Sequence, residues 1–194
     1  MSDTHKFERR KLVSELLQNR KDSLIITGLG SPTYDVAAVE DVDQNFYLWG
    51  AMGLAVSVGL GVAISQPQRR VVVVTGDGEA MMGVGSFATA AAAAPDNFAI
   101  LVLDNEMFAE TGNQAGLTQG CADLEKMARG AGISATLTAT SPDHLPAAQD
   151  LLFRDKGPCL VVAKIAISED ERVLPSRNGA FIAERFRRGL GIEV

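Results

Sequence analysis

The sequence predicts a doubly wound α/β fold, a mostly parallel sheet with helices on both faces. Apolar runs such as VVVV (Val71–Val74) and FAILVL (Phe98–Leu103) are continuous rather than alternating, as in strands buried on both sides. Stretches with helical spacing separate these runs, which is the pattern of parallel strands joined by crossover helices. The chain has 194 residues, 46% of them apolar and 22% charged, enough for one good core. A single domain over residues 1–194 is therefore expected.

The elements follow in order. Leu12, Val13, Leu16 and Leu17 recur at helical spacing and predict an amphipathic opening helix over residues 4–20, centred on Lys6 to Gln18. Ser23 to Thr27 (SLIIT) predicts a strand that ends in the loop Gly28-Leu29-Gly30-Ser31-Pro32. AMGLAVSVGLGVAIS, from Ala51 to Ser65, is apolar on every side and predicts a fully buried helix close to the sheet. Strands are then expected over Arg70 to Thr75, Phe98 to Leu103, Ile133 to Leu137 and Cys159 to Ile165. Helices are expected over Gly85 to Ala94, Ala122 to Ala131 and Pro142 to Phe153. The alanine run inside the first of these favours helix and permits close packing. Residues 168–194 form a charged tail, with a surface or interface helix over Ala180 to Leu190.

Composition excludes several functions. A net charge of -6 argues against a nucleic-acid surface. Cys121 and Cys159 have neither metal-ligand spacing nor disulfide density, so reduced thiols and a cytoplasmic location are expected. The N-terminus is too charged for a signal peptide, and no segment is long and apolar enough to span a membrane. His5 and His144 read as surface residues. GVGSFA, from Gly83, imitates a dinucleotide fingerprint, but it falls inside an expected helix and not between strand and helix.

The informative segment is TGDGEA, Thr75 to Ala80. Ligands of an open parallel sheet bind beyond the carboxyl ends of its strands, and Gly76-Asp77-Gly78 lies at such an end. Glycines there let the backbone approach a ligand, and nearby N–H groups favour an anion such as phosphate. Asp77 would repel that anion unless a cation stands between them, and Mg2+ accepts carboxylate, carbonyl and phosphate oxygens together. A plain turn would also accept an aspartate. The buried strand before Asp77 favours the cation, as does Asn105, which ends the next strand after 26 intervening residues beyond Gly78.

GDG followed at this distance by Asn resembles the cofactor motif of the thiamine-diphosphate enzymes. LWGAMGLA (Leu48 to Ala55), GLGSPTYD and LVLDNEMFAETGNQAG extend the likeness over about Leu24 to Val162, nearest to the sulfopyruvate and phosphonopyruvate decarboxylases. The resemblance implies a thiamine-diphosphate-binding fold of the diphosphate-binding type. It implies that Asp77, Asn105 and the Met107 carbonyl hold Mg2+. Gly76, Gly78, Phe108 and the N–H groups of Glu79 and Ala80 would surround the diphosphate. The Gly50 carbonyl would accept from the cofactor's amino group, and Met52 would be the apolar wedge that bends it; plain core packing is the alternative for Met52.

Two further expectations follow from the resemblance. The family's activating glutamate belongs to a pyrimidine-binding domain that this chain has no room for. A partner subunit in a hetero-oligomer is therefore expected to supply it. Glu110 departs from the small residues usual at its position, as a proton donor, a substrate-selecting group or a solvated loop charge. The implied reaction is decarboxylation of a small 2-oxoacid. Acetolactate-synthase-like carboligation and a non-catalytic cofactor-binding module are the alternatives.

Overall fold

The computed structural model describes residues 6–168 and 170–192. Six parallel strands form one sheet: β1 (Leu24–Thr27), β2 (Asn45–Tyr47), β3 (Val71–Gly76), β4 (Phe98–Asp104), β7 (Ala135–Ala139) and β8 (Cys159–Lys164). Their order is β2-β1-β3-β4-β8-β7, with Gly76 level with Leu103 and Asp104 level with Lys164. A short antiparallel hairpin, β5 (Met107–Phe108) and β6 (Gln114–Ala115), stands apart from the sheet. The doubly wound expectation holds, because continuous apolar strands need cover on both faces.

Alternate strand side chains feed two cores. One face packs against α1 (Arg9–Leu17), α2 (Ser31–Val39) and α7 (Leu145–Phe153), through Leu12, Leu16, Val36 and Leu152 against Val72, Val74 and Leu101. The other packs against α3 (Ala55–Ser65), α4 (Asp77–Met82), α5 (Gly85–Ala93) and α6 (Leu124–Gly130), through Leu60, Phe87 and Leu124 against Val71, Val73 and Ile100. Gly59 brings α3 onto the sheet, since a Cβ there would lie 2.2 Å from Val73 Cγ2.

Some elements differ from the sequence reading. The opening helix is shorter than 4–20. Lys6 to Glu8 is extended, and Phe7 bridges the end of β8 by donating to the Lys164 carbonyl (2.9 Å) and accepting from Ala166 N (2.7 Å). Residues 4 and 5, with His5, lie outside the described residues. Helix α3 is not fully buried, as Ile64 is 58% exposed. The fingerprint-like GVGSFA spans a break between α4 and α5, where Gly83 meets the Gly53 carbonyl too closely for any side chain. Nothing in the sequence pattern marks α2, because Gly30 and Pro32 read as a loop. Proline at the start of a helix is in fact favourable, since one free N–H is not missed there.

Most of the described residues in the charged tail are exposed, but the tail docks at a few points. Trp49 Nε1 donates to the Ser176 carbonyl (2.7 Å), Arg177 stacks over the Trp49 ring, and α8 (Gly179–Gly189) packs through Ile182 and Phe186. Among the described residues, no helix is long and apolar enough to cross a membrane.

Candidate functional site

The carboxyl ends of β3 and β4 open into a cavity of about 460 Å³. Of the residues singled out from sequence, Met52, Gly76, Asp77, Gly78, Glu79, Asn105, Met107, Phe108 and Glu110 line it. Gly50 and Ala80 do not. Gly50 lies in the exposed segment before Met52, and the Ala80 side chain is buried under α4 in the core.

Asp77 begins α4 directly after β3 and is 5% exposed. Its Oδ2 accepts from Thr118 Oγ1 at 2.9 Å. Burial first, and then the nearby Asp104 carboxylate, push the Asp77 carboxyl up to about 6. Such a carboxylate gains most from a cation, because burial disfavours its charge and no Lys, Arg or His among the described residues pairs with it.

Asn105 sits one strand over. Its Oδ1 accepts from Met107 N (2.9 Å), closing a tight turn through Glu106, whose φ of 65° is in the left-handed region. That conformation costs a non-glycine residue stability and persists only where the surroundings enforce it. Here Lys6 and Lys164 hold the Glu106 side chain at 2.9 and 3.0 Å. Burial opposes ionisation of Glu106, yet these two ammonium groups bring its carboxyl below the ordinary range. Lys164 also donates to Asp104 Oδ2 at 2.7 Å.

The two glycines of the GDG turn differ. A Cβ on Gly78 would press on the Phe108 ring at 3.1 Å, whereas a Cβ on Gly76 would meet nothing. Gly76 thus leaves open space at the cavity mouth. Glu79 does more than sequence suggests: its buried Oε2 accepts from Thr75 Oγ1 (2.9 Å) and Leu29 N (3.1 Å). Its Oε1 is buried near the Gly53 and Ala55 backbone without a hydrogen bond of ordinary geometry, and burial raises its pKa. One carboxylate thereby ties β3 to the loops after β1 and before α3. Gly28 is small because a Cβ there would overlap that carboxylate.

Three lining side chains are acidic: Asp77, Glu79 and Glu110. Glu110 lies over Gly30 and has no ion pair among the described residues. Arg9 is the one cationic side chain among the described residues that line the cavity, and it is 6% exposed. Its Nε and Nη2 hold Asp35, and Nη2 also holds Asp170 at 3.0 Å. Nη1 makes no hydrogen bond among the described residues. Arg9, Ser31, Asp104 and Thr118 are functional candidates that the sequence reading misses. Only Asp104, beside Asn105, carries a local signal.

The donor set fits a diphosphate with its cation. Among the described residues no group of three or more His, Cys, Asp or Glu side chains could hold a metal alone. Mg2+ does not require such a cage, since it commonly takes one or two protein ligands and completes its shell with phosphate and water. Asp77, Asn105 and Met107 line the same cavity as the open Gly76.

The fold and this strand-end site define a cofactor-binding α/β domain, and residues 30–163 match the family described as the thiamine pyrophosphate enzyme C-terminal TPP binding domain. The chain belongs to that family. It is 40% identical over 178 residues to a phosphonopyruvate decarboxylase of Streptomyces viridochromogenes, covering 91% of this chain and 44% of the relative. It is 43% identical over 107 residues to a sulfopyruvate decarboxylase subunit beta of Methanothermobacter thermautotrophicus, covering 55% of this chain and 57% of the relative. The chain thus spans about half the length of these relatives. The fold is shared with an X-ray structure of a Mycobacterium smegmatis protein, at TM-score 0.72 and 21% identity over 85% of this chain and 32% of that one.

Proposed function

We propose that this chain is the diphosphate-binding subunit of a thiamine-diphosphate- and Mg2+-dependent 2-oxoacid decarboxylase of the sulfopyruvate or phosphonopyruvate type. The observation that carries the reading is the meeting of Asp77 and Asn105, from adjacent strand ends, at one cavity. Asp77, Asn105 and the Met107 carbonyl would hold the cation. The open backbone at Gly76 and the N–H groups that follow it would take the diphosphate. Arg9 supports an anionic ligand, as a buried guanidinium on the cavity wall whose Nη1 has no hydrogen bond among the described residues.

Bound thiamine diphosphate supplies a nucleophilic carbon and an electron sink for the departing carboxylate's electron pair. The chain's own residues bind, orient and exclude water. Met52 stands at the cavity rim, 43% exposed, where a thioether fills space without offering a competing polar group. Glu110 faces the cavity from the opposite loop and would sort substrates or carry a proton.

A pyrimidine-binding partner subunit would supply the activating glutamate. Two features support it: one relative is itself named as a subunit beta, and the cavity lining is apolar and exposed at Met52 and Met82, with Leu54 exposed two residues beyond Met52. Exposed apolar surface beside a polar site is characteristic of an interface. The test is to co-express the chain with its neighbouring reading frame and assay carbon dioxide release from a panel of 2-oxoacids. Release is expected from the pair with added thiamine diphosphate and Mg2+, and little from this chain alone. Full turnover by the single chain would overturn the partner's role.

A further inference from the structure

Thr118 lies in the turn Leu117–Gln119, 41 residues from Asp77, and is 6% exposed. Its Oγ1 is 2.9 Å from Asp77 Oδ2 and 2.8 Å from Asp104 Oδ1. A hydroxyl carries one proton, so only one of these carboxylates can receive it at a time. Asp104 is already served twice, by Lys164 Nζ on Oδ2 (2.7 Å) and by Glu106 N on Oδ1 (3.0 Å). Asp77 has no other side-chain donor among the described residues. The proton therefore belongs on Asp77, where the alternative is a buried acceptor facing a second carboxylate.

We infer that Thr118 is the positioning residue of Asp77: its hydroxyl fixes Oδ2, turns Oδ1 toward a bound cation, and sets the cation affinity of the site. The inference rests on the reading of Asp77 as a cation ligand. Thr118 also fastens the segment after β6 to the end of β3. This segment follows the loop that carries Phe108 and Glu110, so one hydrogen bond serves both the ligand and the cavity wall. Without the hydroxyl, Asp77 and Asp104 would confront each other with no proton between them. Asp77 would then be held only by the Gly78 and Asp77 backbone N–H groups and bind the cation less well, as happens when a partner that orients a metal ligand is removed.

The test uses the full chain with its partner subunit and thiamine diphosphate, with Mn2+ as the probe and its binding followed by electron paramagnetic resonance. Thr118→Val should weaken Mn2+ binding about 10- to 100-fold, the range typical of losing such a partner. Thr118→Ser, which keeps the hydroxyl, should restore it. A packing role alone would predict the reverse, because Val keeps the shape of Thr and Ser does not. Circular dichroism melting of each variant separates loss of fold from loss of affinity. Should Thr118→Val fail to fold, Thr118→Ala adds no atom and must show the same deficit relative to Thr118→Ser. Wild-type Mn2+ affinity in Thr118→Val or Thr118→Ala overturns the inference while leaving Asp77 as a ligand. Wild-type affinity in Asp77→Ala overturns both.

Discussion

Two concavities of similar size lie on this molecule and differ in chemistry. The strand-end cavity encloses about 460 Å³, and a groove between α1 and the segment after β7 encloses about 400 Å³. The groove is lined by Lys6, Glu8, Lys11, Glu15, Thr140 and Ser141, half-buried or exposed, beside the apolar Phe7, Leu12, Pro142 and Leu145. The cavity gathers the buried carboxylates of Asp77 and Glu79, the open Gly76 and the Arg9 guanidinium, which Asp35 and Asp170 hold. Volume therefore does not identify the site. Charges withdrawn from water and left partly uncompensated do, because each stores interaction energy that a ligand can release.

The contrast can be broken most forcefully at Asn105. Asn105→Ala removes a proposed cation ligand together with the turn that presents the Met107 carbonyl, so cation affinity should fall by at least about 100-fold, beyond the loss of an orienting partner alone. Mn2+ binding measures it, and an unchanged affinity would erase the distinction between the two concavities.

A smaller effect belongs to Arg9. Arg9→Met should weaken thiamine diphosphate binding by about tenfold, the scale of one charge-assisted hydrogen bond, and leave binding of unphosphorylated thiamine unchanged. Trp49 fluorescence provides the titration, since Trp49 precedes Gly50 in the same loop. Equal weakening of both ligands would assign Arg9 a packing role beside Asp35.

The pH dependence follows from Asp77, whose carboxyl is raised to about 6 by burial and by Asp104. A raised value means that the folded chain binds a proton the unfolded chain has released. The metal-free protein should therefore lose stability as pH rises from about 4 to about 6, and change little from this group above that. Cation binding has the opposite sense, because the proton competes with it. Affinity should fall as pH drops below about 6, and chemical denaturation with and without Mg2+ at pH 5 and 7 shows both trends. A Mg2+ stabilisation equal at both values would contradict the assignment.

The smallest expected effect is the control. Lys11→Ala and Glu15→Ala, in the groove, should change unfolding free energy by no more than about 0.5 kcal/mol and leave cofactor binding alone, as surface substitutions usually do.

How far the sequence reveals this site depends on how locally each part is encoded. Asp77 and Asn105 are legible because each directly follows a strand whose apolar run announces it, and because their spacing leaves room for a helical crossover and the next strand, which the structure fills with α4, α5 and β4. The fold was equally open, since runs such as VVVV have no other stable environment than a sheet covered on both faces. Helix α2 is hidden by Gly30 and Pro32, which read as a loop although they start a helix. Thr118 and Arg9 carry no local signal at all. Their roles come from tertiary folding, which brings a turn 41 residues from Asp77 and a helix from the chain's beginning to one cavity. The reach of Glu79 to Leu29 is equally invisible, because it depends on which two loops flank β3.

The central claim is that Asp77 holds the cation that brings a diphosphate to the end of β3. Isothermal titration of thiamine diphosphate into the wild-type complex and the Asp77→Ala complex, each with and without Mg2+, tests it most directly. Mg2+-dependent binding is expected in the wild type, and none in Asp77→Ala. Binding of equal strength in both, or binding that ignores Mg2+ in the wild type, would contradict it.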